Sequence, residues 1–208
     1  MRFVVPFDAG SPKTRLGPLL APDERRAFAR VMLSDVLATL EATAAEPTVL
    51  ATSPVDCEVH VEIDDRPLTP AVNAVLEAAE EPVGIVMADL PLLTPDTIER
   101  LLAPRVDLVI AAGRGGGTNA FVARHAEFRV DYHGTSYTDH LEIARELGAT
   151  VETIDSHRLA TDIDERADLV EVLIHGSDTR SRDWLIEQGI RLTTDEGRVG
   201  VGRAGTWG

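Results

Sequence analysis

The opening run Arg2-Phe3-Val4-Val5-Pro6 is apolar and strand-length, and residues 7–20 behind it form a loop rich in proline and glycine. From residue 21 to 45 apolar side chains (Phe28, Val31, Met32, Val36, Leu40) recur mostly every three or four positions, which predicts a long helix. Pro22-Asp23-Glu24 places a proline and two acids at its start. Further strands are expected at 48–52, 58–63, 83–87, 106–111 and 150–154. Helices are expected at 69–79, from the Thr94-Pro95-Asp96 cap to about Leu102, at 136–147 before Gly148, and at 165–174. Regular strand–helix alternation means a mostly parallel sheet with helices on both faces. Residues 119–123 are expected to run antiparallel, because only a loop separates them from the preceding strand. After His175-Gly176-Ser177-Asp178 the texture changes to a helix at 182–188 and a hairpin, 190–194 with 198–201, turning through Asp195-Glu196-Gly197. We expect a main domain over 1–175 and an appendage over 176–208, packed on that domain or on a second subunit.

Charge narrows the partners. Thirty-five acids against 20 bases leave −15, and residues 31–65 carry eight acids and no base. Such a surface repels nucleic-acid backbones and anionic membranes. No signal peptide is apparent, and no apolar run approaches membrane-spanning length. A single cysteine, Cys57, fits a reducing cytoplasm. Nineteen of the 20 bases are arginine and one, Lys13, is lysine, which suits a saline cytoplasm and marks Lys13 as a residue kept for its chemistry or left by chance in a loop.

Four stretches could carry chemistry. The run 83–87 delivers Asp89-Leu90-Pro91 to a strand's carboxyl end, where open α/β sheets bind ligands. Asp162-Ile163-Asp164 precedes a helix, so its acids are either helix caps or, with Asp89, a hard-oxygen pocket for magnesium. The loop 113–119 holds four glycines and is either a surface loop or an anion cradle. Pro12-Lys13-Thr14-Arg15-Leu16 follows the first strand without Walker spacing, and its two bases are solvated or face phosphates. Asn73 and Asn119 could read a base edge or orient a substrate, or serve turns and caps. Ser136, with His133 and His140 nearby, is a helix cap or part of an anion site. Neither a hydrolase nucleophile elbow nor a zinc-type Cys/His spacing occurs.

Taken in order, Pro12-Lys13-Thr14-Arg15-Leu16, Asp89-Leu90-Pro91, Gly117-Thr118-Asn119-Ala120, the stretch from Tyr132 to His140 with Ser136, and Asp162-Ile163-Asp164 with Asp168-Leu169 resemble the 2-phospho-L-lactate guanylyltransferase family. That family makes an intermediate of the deazaflavin coenzyme F-420, and its relatives include the molybdenum-cofactor nucleotidyltransferases. The resemblance covers residues 1 to about 175. It implies a Rossmann-like, GT-A-like three-layer α/β sandwich, magnesium as cofactor, and GMP transfer from GTP to 2-phospholactate. By the same resemblance Asp89, Asp162 and Asp164 are the metal acids, and Thr118, His133 and Ser136 contact the phosphorylated three-carbon acid. Lys13 and Arg15 form the basic loop over the nucleotide phosphates. His133 stands where the family usually has glycine, so the contact implied there is through its backbone amide. Other readings are a nucleotidyltransferase for phosphoenolpyruvate, a sugar phosphate or a molybdopterin, and a nucleotide-binding module without turnover. The glycine-rich loop those sugar and molybdopterin enzymes carry after their first strand is missing here.

Overall fold

The structure, a computed structural model, describes residues 1–10, 12–195 and 197–203. Strand and helix alternate as the sequence pattern requires: β1 (Arg2–Phe7), α1 (Pro22–Glu41), β2 (Glu46–Ala51), β3 (His60–Ile63), α2 (Leu68–Ala78) and β4 (Val83–Val86). Then follow α3 (Pro95–Leu102), β5 (Leu108–Ala112), β6 (Thr118–Ala123), α4 (Ser136–Glu146) and β7 (Val151–Thr153). The strands form one sheet in the order β3-β2-β1-β4-β6-β5-β7. All pair in parallel except β6, which runs antiparallel to both β4 and β5, as its loop connection predicts.

Alternate residues of each central strand enter opposite cores. Val5, Val49, Val86, Val109 and Val122 meet Leu33, Val36 and Leu40 of α1 and Ile98 and Leu101 of α3. Val4, Leu50, Ile85, Ile110 and Phe121 meet Val72 and Val75 of α2 and Ala144 of α4. The result is the three-layer α/β sandwich expected.

Element ends shift where side chains compete with the backbone. The first helix stops at Glu41, not residue 45, because Thr43 Oγ1 donates to the Leu40 carbonyl and accepts from Ala45 N–H, closing a turn. A short helix absent from the sequence reading, α5 (His157–Ala160), is capped by Ser156. The helix expected from residue 165 begins four residues later, as α6 (Leu169–His175), because Asp168 Oδ2 accepts from Asp164 and Glu165 N–H and holds them in a turn.

The carboxyl segment forms α7 (Arg180–Glu187) and a hairpin of β8 (Ile190–Asp195) with β9 (Arg198–Arg203), and Glu196 of the expected turn lies outside the described residues. Leu185, Ile190 and Val201 share a third core with Leu16, with Phe28 and Met32 on the outer face of α1, and with Leu169 and Val172 of α6. Asp35, an acid within the apolar stripe of α1, is buried for a reason: its carboxylate accepts from Arg180 and Ser181 N–H and caps α7.

Candidate active site

Connections leave β1 and β4 toward opposite edges of the sheet, so a crevice opens beyond their carboxyl ends. The loop after β1 brings Lys13 there and the loop after β4 brings Asp89. Among the described residues Lys13 is the only non-glycine with positive φ, at 56°, a conformation that costs roughly 1–2 kcal/mol. Its side chain accounts for this. Nζ lies 2.5 Å from Asp89 Oδ2 and 2.6 Å from Asp164 Oδ1, with the side chain only 10% exposed. Burial alone would lower the lysine pKa, but the two carboxylates outweigh it and raise it, so Lys13 is a buried ammonium.

The Asp-Ile-Asp motif works through its apolar centre. Ile163 is fully buried in the third core and its N–H donates to the Asp89 carbonyl at 3.0 Å, which ties the two acid loops together with Asp162 and Asp164 on either side. Asn119 completes the arrangement. It is the extra residue of a β-bulge, since Ala111 pairs with Ala120 and Ala112 with Thr118. Its amide donates to the Leu159 carbonyl at 2.9 Å and to Asp162 Oδ1 at 3.0 Å. Burial raises the Asp162 pKa, the Asn119 hydrogen bond opposes this, and the charges of Asp89 and Asp164 add to it. Asp89 Oδ1 is buried with no hydrogen-bond partner. A buried, unpartnered carboxylate oxygen beside an acid whose pKa is raised by burial and by two like charges is an environment short of positive charge. Asp89, Asp162 and Asp164 offer the all-oxygen donors that a hard divalent ion such as magnesium takes, although among the described residues their oxygens do not all lie within 4.8 Å of one another.

Beyond the acids a cleft of about 640 Å³ is rimmed by Arg15, Arg114, Gly115, Gly117 and Gly134. The glycine loop turns on Gly116 at φ 83°, and a Cβ on Gly113 would sit 2.6 Å from the Asn119 side chain. The loop is docked on α4: Tyr137 N–H donates to the Gly116 carbonyl and Thr118 N–H to Ser136 Oγ. His140, wholly buried, accepts the Asp131 N–H at Nε2 (2.9 Å) and lies 2.8 Å from Thr118 Oγ1 through Nδ1. A neutral imidazole that accepts at Nε2 carries its proton on Nδ1, so it donates to Thr118 and leaves the threonine hydrogen to point elsewhere. Burial pushes the His140 pKa down to about 4 from 6.5, against the pull of Asp139 and Asp131. A depressed folded-state pKa means the stabilisation is complete above pH 6.5 and is lost as pH falls toward 4, because the unfolded chain binds that proton first. His140→Gln keeps a donor and an acceptor without titrating. Its melting temperature should decline less than the parent's between pH 6.5 and 4; parallel declines would contradict a neutral buried His140.

On the other side of Lys13 lies a cleft of about 250 Å³ lined by Phe7, Pro12, Met32 and Met87. It continues, past Phe7, Asp8 and Met87, into one of about 510 Å³ ending at Asp64 and Arg66.

The structure thus gathers Lys13, Asp89, Asp162, Asp164 and Asn119 at one point, with Thr118 and Ser136 supporting the adjoining glycine loop. Arg15 lies exposed on the rim, 3.4 Å from Glu165. The exposed His133 ring pairs with Asp131, while its neighbour Gly134 lines the cleft. Asn73 is not brought in: its amide is committed to the Val130 backbone, Nδ2 donating to O and Oδ1 accepting from N–H, which pins the 128–132 loop to α2. Sequence reasoning passed over Arg114, whose Nη2 lies 2.6 Å from Asp168 Oδ1 and joins the glycine loop to the turn bearing Asp164. The signal was an arginine interrupting a glycine run.

Residues 1–203 match the family model described as guanylyl transferase CofC like. The chain belongs to this family. It is 59% identical to a 2-phospho-L-lactate guanylyltransferase from Halomicrobium mukohataei, over 98% of this chain and 100% of that one. A 2-phospho-L-lactate guanylyltransferase from Haloarcula marismortui is 55% identical, over 98% and 99%. Among solved structures, a protein provisionally described as a nucleotide-diphospho-sugar transferase from Desulfovibrio desulfuricans G20 superposes with a TM-score of 0.76 at 15% identity, covering 90% of this chain and 94% of that one. That likeness bears on the fold alone, a three-layer α/β sandwich.

Proposed function

We propose that this guanylyl transferase passes GMP from GTP to (2S)-2-phospholactate, giving lactyl-2-diphospho-5'-guanosine and pyrophosphate. The observation that carries the site assignment is the pairing of Asp89 and Asp164 with Lys13, beside the Asp162 that Asn119 holds, between two unlike clefts. The cleft over β1 and β2, mostly apolar near Phe7 and Met87, suits a base and ribose. The glycine cleft, with Arg15 and Arg114 on its rim, suits a phosphorylated acid. The α-phosphorus would lie where they meet.

A phosphate oxygen of phospholactate attacks the α-phosphorus in line, the bond to the β-phosphate oxygen breaks, and pyrophosphate leaves. The nucleophile is already anionic near neutral pH, so the reaction needs no general base and rests on positioning and charge. Both substrates are anions, and acids floor the site, so Asp89, Asp162 and Asp164 would hold magnesium, which neutralises phosphate charge when bound. Lys13 offsets charge on the departing pyrophosphate, with Arg15 at the rim. Asn119 orients Asp162, and His140 directs the Thr118 hydroxyl to donate. Ser136 fixes the Thr118 backbone, and the main chain at His133 and Gly134 closes the far wall.

The reaction is tested by pyrophosphate release from magnesium-GTP with 2-phospholactate, phosphoenolpyruvate, a sugar phosphate or no acceptor. Release that depends on 2-phospholactate is expected, and equal release without acceptor would defeat the assignment. Thr118→Val should raise the KM for the acceptor about tenfold, about 1.4 kcal/mol, with Thr118→Ser near the parent. A KM unmoved by Thr118→Val would remove the hydroxyl from the acceptor site.

A further inference from the structure

Outside the acid cluster, His157 on α5 and Glu171 and His175 on α6 form a second group of potential ligands, their donor atoms all within 4.8 Å of one another. Glu171 divides its oxygens. Oε1 faces Arg114 Nη1 at 3.9 Å, whereas Oε2 lies 3.3 Å from His157 Nε2 and 3.5 Å from His175 Nε2. Ligands about 2.0–2.1 Å from a tetrahedral ion stand about 3.3 Å apart, so both nitrogen–oxygen separations already match. The two rings meet edge to face, 5.3 Å between centroids and 78° between planes. The Thr161 hydroxyl donates to the His157 carbonyl at 2.8 Å, so its oxygen can only accept from His157 Nδ1, 3.5 Å away. That contact favours the tautomer with an unprotonated Nε2 facing Glu171, as a partner behind a metal ligand would. His157 and His175 are about half exposed, which leaves open coordination positions for water.

We propose that His157, Glu171 and His175 bind a borderline divalent transition ion of the zinc class. Two imidazoles and one carboxylate select such an ion over magnesium, which prefers an all-oxygen site. The location gives the ion a structural task. His157 precedes, and Glu171 and His175 follow, the loop 161–168 that bears Asp162 and Asp164, so an ion joining α5 to α6 braces both ends of that loop. The site does not depend on which acceptor the enzyme uses.

Calorimetric titration of the full chain with zinc, in saturating magnesium so that the acid cluster is occupied, tests this directly. One zinc per chain with a micromolar or tighter Kd is expected, together with a zinc-dependent rise in melting temperature. Both should vanish in the His157→Ala/His175→Ala double variant, and Glu171→Gln should weaken binding at least about tenfold. Should the double variant fail to fold, the single His175→Gln variant must show the loss. Cobalt as a probe should give the visible bands of a four- or five-coordinate nitrogen and oxygen site in the parent alone. No zinc binding by the parent, or equal binding when His175 is replaced, would overturn the proposal.

Discussion

Asp89→Asn should leave the fold intact and cut turnover about a hundredfold or more, a loss of about 2.7 kcal/mol or greater in transition-state stabilisation. The substitution is isosteric, and the backbone carbonyl that accepts from Ile163 is untouched. An amide oxygen can still accept from Lys13, so the Oδ2 contact need not disappear. What disappears is the negative charge and the buried, unpartnered Oδ1, the feature that most suits a divalent ion. The defect should therefore appear in the magnesium dependence as well as in the maximal rate. Magnesium should raise the melting temperature of the parent but shift the variant much less, which separates a metal ligand from a residue that merely holds Lys13. Turnover near the parent's at saturating magnesium would remove Asp89 from the metal site.

The sheet was readable because each strand carries its own apolar run and each crossover its own helix. Even the reversed β6 followed from the connection between 111 and 119, too short for a crossover. Boundaries slipped where a side chain captures backbone groups, at Thr43 and at Asp168, and sequence periodicity is blind to such bonds. In the site, Asp89, Asp162 and Asp164 could be named because an acid at a strand end or beside an isolated apolar residue is conspicuous, and Lys13 because it is the single lysine among 19 arginines. Their convergence could not: it depends on Ile163 bonding to the Asp89 carbonyl across 74 residues of chain, and on a bulge that re-aims Asn119. Asn73 shows the converse. An asparagine on a helix looks available, but the loop it pins is remote in sequence, so its occupation was invisible. His140 was noticed only as a neighbour of Ser136, since burial and tautomer are properties of the folded state.

The same geometry changes what replacing Lys13 should do. As a solvated loop residue it would be dispensable to stability. As an ammonium bridging Asp89 and Asp164, with Asp162 close by, it is the only base hydrogen-bonded to these acids among the described residues. Lys13→Ala should therefore lower stability by about 1–3 kcal/mol without magnesium, the range for breaking a partly buried ion pair, discounted because Asp164 is 45% exposed. Magnesium should recover most of that loss, because it supplies charge to the same oxygens, while turnover at saturating magnesium stays at least about tenfold down, about 1.4 kcal/mol. Lys13→Arg should keep more of the stability and lose a comparable share of activity, because a broad planar guanidinium cannot sit between two carboxylates as a compact ammonium does. Lys13→Gly relieves the positive φ and should be more stable than Lys13→Ala by a few tenths to about 1 kcal/mol, which isolates backbone strain from charge. Melting curves with and without magnesium, run beside pyrophosphate release, read all three variants. If Lys13→Arg turns over like the parent, the nucleotide phosphates do not lie over this loop.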